Sequence, residues 1–246
     1  MRYAQAAYRC DLFPSHSLRA DAAVCYCRVA NPYLELWLKY KRNPAAFSSG
    51  VNGEYTLSRD GKHWCSVRDR AVSDYAWAIP SHAALELIVK WASVVSGDAT
   101  RPRIAEIGSG TGYWASLLQK YGADVVAVEE YYKTMGRHFP DTVARNGVEY
   151  LRAHGGCEDR ALFLCWQFGD DGHSYLREYR GPIVIFIGGP DIYGDRGGGC
   201  TMFFDEWEQV DRLHIPQWQG LHDELIVYRR RGWESGAMGS QLQLQQ

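Results

Sequence analysis

The stretch from Arg103 to Trp114, Arg-Ile-Ala-Glu-Ile-Gly-Ser-Gly-Thr-Gly-Tyr-Trp, constrains the fold of this chain more than any other. Its first five residues form a short, mainly apolar run, which is typical of a buried strand. The next segment has a glycine at every second position, at Gly108, Gly110 and Gly112. Glycine permits positive φ and lets a ligand approach the backbone closely, and the helix predicted over Tyr113–Tyr121 would point free N–H groups at the turn. The pattern predicts a βαβ unit that cradles a nucleotide-like cofactor.

Two carboxylates narrow the choice of cofactor. The dinucleotide fingerprint needs its third glycine three residues after the second, and that position is Tyr113 here. Glu106 lies two residues before the first glycine, where it would repel a pyrophosphate. A second strand, Ala123–Val128, ends in Glu129-Glu130, and an acid at that point can accept both hydroxyls of a ribose. The pair of acids therefore favours a cofactor with a ribose and positive charge but no pyrophosphate.

Acid-x-Gly-x-Gly-x-Gly followed by an acid after the second strand resembles the first motifs of the class I S-adenosylmethionine (SAM) dependent methyltransferases. Further segments extend the resemblance over about 75–231, namely Trp-Ala-Ile-Pro, Leu-Phe-Leu-Cys-Trp and Ile-Pro-Gln-Trp-Gln-Gly-Leu-His-Asp. The resemblance implies an α/β, Rossmann-like class I methyltransferase fold. Its seven-stranded mixed sheet would have an antiparallel last strand, and an N-terminal helical extension would precede it.

Three segments are expected along the chain: an N-terminal extension or lid at 1–74, a SAM-binding core at 75–231 and a disordered tail at 232–246. Helices are predicted over 33–41, 67–76, 81–93 with Ser81 as N-cap, 131–138, 174–179 and 203–207. Strands are predicted over 103–107, 123–128, 148–151, 161–166, 182–187, 208–214 and 225–229, with a hairpin over 54–66 that turns at Asp60-Gly61. The turn 215–222 is placed at the carboxyl edge of the sheet, where ligands bind in open α/β folds.

The resemblance assigns SAM as cofactor and names the residues that would bind it. The glycine turn and its flanks would line the cofactor, through Glu106, Gly108, Ser109, Gly110, Gly112, Tyr113 and Trp114. The ribose would meet Glu129 and Glu130, the base or methionine end would meet Trp166, and Trp77 and Ile79 would roof the ligand. Aromatic faces also suit a cationic sulfonium.

The expected activity is methyl transfer to a small-molecule or sugar-like acceptor, directed to oxygen. Amino-group methyltransferases place Asn-Pro-Pro-aromatic after the fourth strand, whereas this chain has Gln167-Phe168 after Trp166. A hydroxyl acceptor needs a base, and the candidates at the predicted active edge are His222, His173 and the carboxylate Asp170. A thiol or amine acceptor would need none. Two alternatives stay open: a methyltransferase-fold protein that binds a ligand without turnover, and an NAD(P)-dependent oxidoreductase.

Composition limits the partners of the 246-residue chain. Its formal net charge of −2 and the lack of a basic stripe argue against bulk nucleic-acid binding, and no apolar run is long enough to span a membrane. The seven scattered cysteines indicate reduced thiols and a cytoplasmic location. No metal is predicted, because Cys25-Tyr26-Cys27 and His63-Trp64-Cys65 do not have the Cys-x-x-Cys spacing. The oligomeric state is left open.

Overall fold

The computed structural model of the chain describes residues 29–43, 55–57, 64–134, 138–139, 141–167, 171–189 and 206–233. Six helices and nine strands are found within these ranges. In chain order they are α1 (Pro32–Tyr40), β1 (Tyr55–Leu57), β2 (Trp64–Ser66), α2 (Val67–Asp74), α3 (His82–Ser96), β3 (Arg103–Ile107), α4 (Tyr113–Lys120), β4 (Asp124–Val128), β5 (Thr142–Val143), α5 (Gly147–Ala153), β6 (Ala161–Cys165), α6 (Asp171–Glu178), β7 (Ile183–Gly188), β8 (Trp207–His214) and β9 (Glu224–Arg230).

Strands β3 to β9 form one mixed sheet in the order β5-β4-β3-β6-β7-β9-β8. The first five strands of this order are parallel, and β9 runs antiparallel to both of its neighbours. The predicted seven-stranded mixed sheet with an antiparallel last strand is therefore confirmed. Strand order reverses between β3 and β6, which opens a crevice at the carboxyl ends of these strands.

The central strands are buried on both faces, which explains why their sequences are continuous apolar runs. Along β7, Ile183, Ile185 and Ile187 pack with the helices of one face. Val184 and Phe186, at the alternate positions, pack into a second core on the other face. The period of two along a strand sends successive side chains into different cores, and both cores are hydrophobic.

Helix α3 begins at its predicted cap, Ser81, and ends at Ser96, three residues beyond the predicted end. The Ser81 hydroxyl accepts from the Ala84 N–H at 3.2 Å, and Gly97 ends the helix with a φ of 64°. Leu85, Ile88 and Ala92 form its buried stripe, and Val89 is partly buried. This helix packs against β3, β6 and β7 and so supports the strands that border the crevice.

Three of the predicted elements are wrong. The segment 148–151 lies in α5, because the Asn146 side chain caps the N–H groups of Val148 and Glu149 and starts a helix there. Trp207 begins β8 and is not part of a helix. The helix predicted over 131–138 is a single 3-10 turn, Tyr132–Thr134, in the described part of that segment.

The N-terminal extension is described in part. β1 and β2 pair antiparallel, as the predicted hairpin requires, but its turn at Asp60-Gly61 lies outside the described residues. The tail 234–246 also lies outside them. No helix in the described ranges is long and apolar enough to cross a membrane.

Asn31 joins the extension to the core. Its side-chain oxygen caps α1 at the Leu34 N–H and accepts from the Tyr113 hydroxyl at 2.8 Å. Its amide nitrogen donates to the Pro80 carbonyl at 2.9 Å. One buried side chain therefore holds together the starts of α1 and α4 and the segment before α3.

Replacing Asn31 with alanine is expected to cost about 2–3 kcal/mol of unfolding free energy, because a cap is lost and buried polar partners lose their bonds. Asn146→Ala is the matched control: Asn146 also caps a helix, but its amide bonds Glu130 at an exposed position, so the expected loss is about 1 kcal/mol. Urea unfolding of both variants measures the difference. Equal losses would show that Asn31 acts as a helix cap alone.

Candidate functional site

The glycine turn after β3 has the backbone that its sequence predicts. Gly108, Gly110 and Gly112 all have positive φ, at 71°, 56° and 71°. The N–H groups of Gly108 and Ser109 both donate to the Val128 carbonyl, at 2.8 and 3.0 Å. These two bonds fix the turn against the end of β4, immediately before Glu129.

The carboxylate of Glu129 accepts hydrogen bonds from two main-chain N–H groups at the turn. One oxygen accepts from the Gly110 N–H at 2.8 Å, and the other accepts from the Tyr131 N–H at 2.9 Å. The side chain is only 6% exposed. A pyrophosphate would need the same turn N–H and would meet a buried negative charge beside it, so the geometry disfavours a dinucleotide.

Glu106 is the second buried carboxylate of the site. It is 2% exposed, and its Oε2 has no hydrogen-bond partner among the described residues. Burial raises its pKa to about 8; the Ala115 N–H opposes this rise and the Glu129 charge adds to it. Glu106 is therefore mainly protonated near neutral pH and would ionise readily beside a cation.

A cavity of about 460 Å³ lies over the turn. Glu106, the turn, Trp114 and Cys165 form its floor. The other wall is α2 and the segment that follows it, through Arg68, Asp69, Val72, Ser73, Tyr75, Ala76 and Trp77. A helix of the N-terminal extension thus covers the carboxyl edge of the sheet.

Buried polar atoms without a hydrogen-bond partner within the described ranges concentrate at this cavity. They include Glu106 Oε2, Ser109 Oγ, Trp114 Nε1 and Arg68 Nε, and all four residues line it. Such orphaned atoms are rare in folded proteins because each costs free energy. The set combines one acceptor with three donors, which suits a ligand that has both an ammonium and a carboxylate.

SAM fits these groups. Glu106 would hold its ammonium, and Ser109 and Trp114 would hold its carboxylate. Glu129, which accepts from the Gly110 N–H but does not itself line the cavity, would hold its ribose. A Cβ at Gly110 would meet nothing within 4 Å, so the backbone there is open to a ligand. Among the described residues no cluster of three His, Cys, Asp or Glu side chains could hold a metal ion.

The cavity unites part of the predicted cofactor set: Trp77, Glu106, Gly108, Ser109, Gly110 and Trp114. Gly112 instead caps α4, and the Tyr113 hydroxyl bonds Asn31. Trp166 stacks behind Trp77 with a centroid distance of 5.1 Å, and Ile79 is buried in the core. Glu130 is exposed and accepts from the Asn146 amide. These residues stay predictions as cofactor ligands.

Two of the three predicted bases, His173 and His222, are described, and they lie outside the cavity lining. His222 is exposed in the turn between β8 and β9, and His173 is half-buried on α6. Neither lines the cavity, and Asp170 falls outside the described residues. The turn 215–222 itself lies at the carboxyl edge, as predicted, because β8 runs parallel to β7.

Sequence reasoning missed eight residues that line the cavity, and nothing in their local patterns singles them out: Arg68, Asp69, Val72, Ser73, Tyr75, Ala76, Thr111 and Cys165. It also gave no role to Gln167 and Asp223. Gln167 turns its amide onto the Ile107 carbonyl at 2.9 Å, and packs against Gly108. Asp223 is 2% exposed, and burial raises its pKa to about 6 although the Trp166 side chain, Arg68 and His222 lower it. Its place in the sequence next to His222 was the available signal.

No protein-family model matches the chain, and no curated protein matches its sequence. Several solved structures resemble it. The magnesium protoporphyrin IX methyltransferase of Synechocystis PCC 6803 is 10% identical, with 80% of this chain and 93% of that chain covered and a TM-score of 0.43. The 1,6-didemethyltoxoflavin-N1-methyltransferase of Burkholderia thailandensis is 15% identical, with 67% and 87% covered and a TM-score of 0.39. An N-methyltransferase of Bradyrhizobium japonicum WM9 is 10% identical, with 61% and 98% covered and a TM-score of 0.38.

The strand order of the chain itself decides the fold class. It is the Rossmann-like fold of the class I methyltransferases. Because one fold supports many functions, the function has to be argued from the site.

Glu106 is expected to make stability depend on pH. Its folded pKa of about 8 lies above the ordinary value of 4.5, so folding takes up a proton between these pH values and stability falls as pH rises through that window. Asp223 adds a similar loss only up to its pKa of about 6.

Urea midpoints measured at pH 6, 7 and 8 test this. The wild-type midpoint should fall over the series, and Glu106→Gln should flatten the fall because its amide does not titrate. Glu130→Gln, an exposed neighbour, should keep the wild-type slope. A slope unchanged in Glu106→Gln would place the titrating group elsewhere.

Proposed function

We propose that this chain is a SAM-dependent methyltransferase that acts on a small-molecule acceptor at oxygen. The observation that supports it best is the pair of buried carboxylates at the glycine turn. Glu106 has an orphaned oxygen in the cavity, and Glu129 holds the N–H that a phosphate would need. A cationic nucleoside without phosphate is the cofactor that such a turn accepts. The free thiols of Cys65, Cys157 and Cys165 agree with a cytoplasmic location.

When bound, SAM supplies an activated methyl group on a sulfonium. The protein has to bind it, exclude water and orient the acceptor. The floor of the cavity would orient the methionine end, with Glu106 on the ammonium. α2 would act as the lid, since it faces the floor across the cavity. The acceptor would enter between this lid and the ends of β3 and β6.

Direction to oxygen is supported by the loop after β6. An amino acceptor is usually held by side-chain and backbone oxygens of this loop, and the only amide side chain in its described part is that of Gln167. That side chain is buried and its nitrogen is bonded to main-chain carbonyls, chiefly that of Ile107. In the described part of the loop, at 166–167, this amide is therefore turned toward the main chain of the glycine turn and away from an acceptor. The same feature is what favours the rival function, a ligand-binding protein that does not transfer methyl groups.

Isothermal titration tests the cofactor. SAM and S-adenosylhomocysteine are expected to bind and NAD is not. Glu129→Ala should weaken SAM binding by about tenfold or more, the scale of losing charged hydrogen bonds, while Glu130→Ala stays within about twofold. Glu129→Gln, which keeps one acceptor oxygen, should be intermediate.

Binding of NAD without SAM would overturn the proposal in favour of an oxidoreductase. Equal affinity of the Glu129 and Glu130 variants would mean that the ribose lies elsewhere. SAM binding without any methyl transfer to a broad panel of hydroxyl acceptors would support the non-catalytic rival.

Cofactor binding should also release protons. Glu106 is mainly protonated at pH 7, and pairing with an ammonium would ionise it. Titrations at pH 7 in buffers of different ionisation enthalpy should therefore give different observed heats, and SAM should bind more tightly as pH rises to about 8. Glu106→Gln should abolish the buffer dependence. A wild-type heat that is the same in all buffers would show that Glu106 does not meet the ammonium.

A further inference from the structure

Two stacked tryptophans stand at the edge of the cavity, and we name Trp77 and Trp166 the aromatic shelf. Their ring centroids are 5.1 Å apart and their planes differ by 20°. Trp166 is buried, whereas Trp77 lines the cavity and is 43% exposed. The shelf therefore presents the partly exposed Trp77 ring to the cavity, with the buried Trp166 ring stacked behind it.

The inner half of the shelf is held in a strained conformation. Trp166 has a φ of 55°, which is unfavourable for a bulky side chain. Its main-chain N–H donates to the Ile187 carbonyl at 2.9 Å, and its indole lies close enough to the buried carboxylate of Asp223 to lower the pKa of that group. Strain of this kind persists where the surroundings fix it, and it concentrates at ligand sites.

A cation lies over the outer member of the shelf. The Arg68 guanidinium lies over the Trp77 ring, 5.9 Å from its centre, and its Nε is a buried donor without a partner in the described ranges. Its ion pair is a long one, 3.6 Å from Nη1 to the half-exposed carboxylate of Asp69. The arrangement leaves a donor and positive charge for a ligand oxygen at the shelf.

The described lining offers few groups that could act as a base for an ordinary alcohol. It contains no histidine, Glu106 is mainly protonated below about pH 8, burial raises the pKa of the Cys165 thiol, and the half-exposed carboxylate of Asp69 is paired with Arg68. A sugar hydroxyl would need such a base. A phenol ionises near pH 10, as tyrosine does, and a neighbouring guanidinium lowers that value.

We propose that the acceptor is a hydroxyaromatic compound whose ring stacks on Trp77 and whose oxygen faces Arg68. The assignment rests on the proposed methyltransferase function and names its acceptor. In the reaction the phenol proton passes to water, the oxygen forms a bond to the methyl carbon, and the carbon–sulfur bond breaks with its electron pair left on sulfur. Arg68 holds the phenolate, and the shelf orients its ring.

Titration of the protein saturated with S-adenosylhomocysteine tests the shelf. The probes are 4-hydroxybenzoate, 6-hydroxy-2-naphthoate and 4-hydroxyquinoline, with 4-hydroxycyclohexanecarboxylate and methyl α-glucopyranoside as non-aromatic counterparts. At least one aromatic probe should saturate, and it should bind about tenfold more tightly than either counterpart, the scale of an aromatic stacking contact.

Variants locate the effect. Trp77→Leu should weaken the aromatic probe by about tenfold, and Trp77→Phe should restore most of the affinity because it keeps a ring. Trp207→Phe is the matched control, since Trp207 packs in the core on the other face of the sheet. Arg68→Gln should move the pH of half-maximal methylation upward, a change that a merely structural role would not cause.

The outcomes separate the two proposals. If S-adenosylhomocysteine binds and no aromatic probe saturates, or if the glucoside or cyclohexane probe binds equally well, the acceptor assignment is wrong and the methyltransferase proposal stands. Loss of S-adenosylhomocysteine binding in Trp77→Leu or Arg68→Gln would assign these residues to the cofactor and overturn the inference. If the wild type binds neither SAM nor S-adenosylhomocysteine, the proposed methyltransferase function is wrong.

Discussion

The packing of two buried carboxylates against a glycine turn is the constraint on which the site depends. Glu129 is stabilised there because it accepts two main-chain N–H groups, which offset the cost of burying its charge. The Oε2 atom of Glu106 has no hydrogen-bond donor among the described residues to compensate for its burial, and burial therefore raises the pKa of Glu106. The two acids of the turn therefore differ in what they lack, since Glu129 has both oxygens bonded to the main chain and Glu106 has one oxygen without a partner among the described residues.

The sheet makes this packing possible. β3 and β4 are parallel neighbours, so the acids that follow or end these strands meet at one edge. The reversal of strand order between β3 and β6 keeps the space above them open. The extension then closes that space from the other side, and it is fastened to the core through Asn31, Tyr33 and the Trp218 indole, which donates to the Tyr33 hydroxyl at 2.9 Å.

A chain of aromatic contacts links the residues that hold the extension on the core to the proposed acceptor site. Tyr33 stacks on Tyr75 with a centroid distance of 5.1 Å, and Tyr75 lies in the same short segment as Trp77. On the other side, Asp223 follows the turn that contains the buried Trp218, and its carboxylate lies near the strained Trp166, whose side chain lowers the pKa of Asp223. The position of the shelf thus depends on the extension and on the β8–β9 turn together, and a change in either would move the exposed indole.

The sequence by itself determined six of the seven strands of the main sheet, the glycine turn and the acids at its edge, but it did not predict the edge strand β5. These follow from local rules: apolar runs bury on both faces, glycine adopts positive φ, and parallel strands end at one edge. Local rules failed at 148–151, where the side-chain cap at Asn146 starts a helix although a short apolar run predicted a strand. They also failed at Trp207, which was predicted to be helical and is the first residue of β8. Only the tertiary structure decided that Arg68, Cys165 and Asp223 belong to the site and that His173 and His222 do not line it. The reason is physical, because burial, an orphaned donor and a raised pKa are properties of what surrounds a side chain, and residues far apart in the chain supply those surroundings.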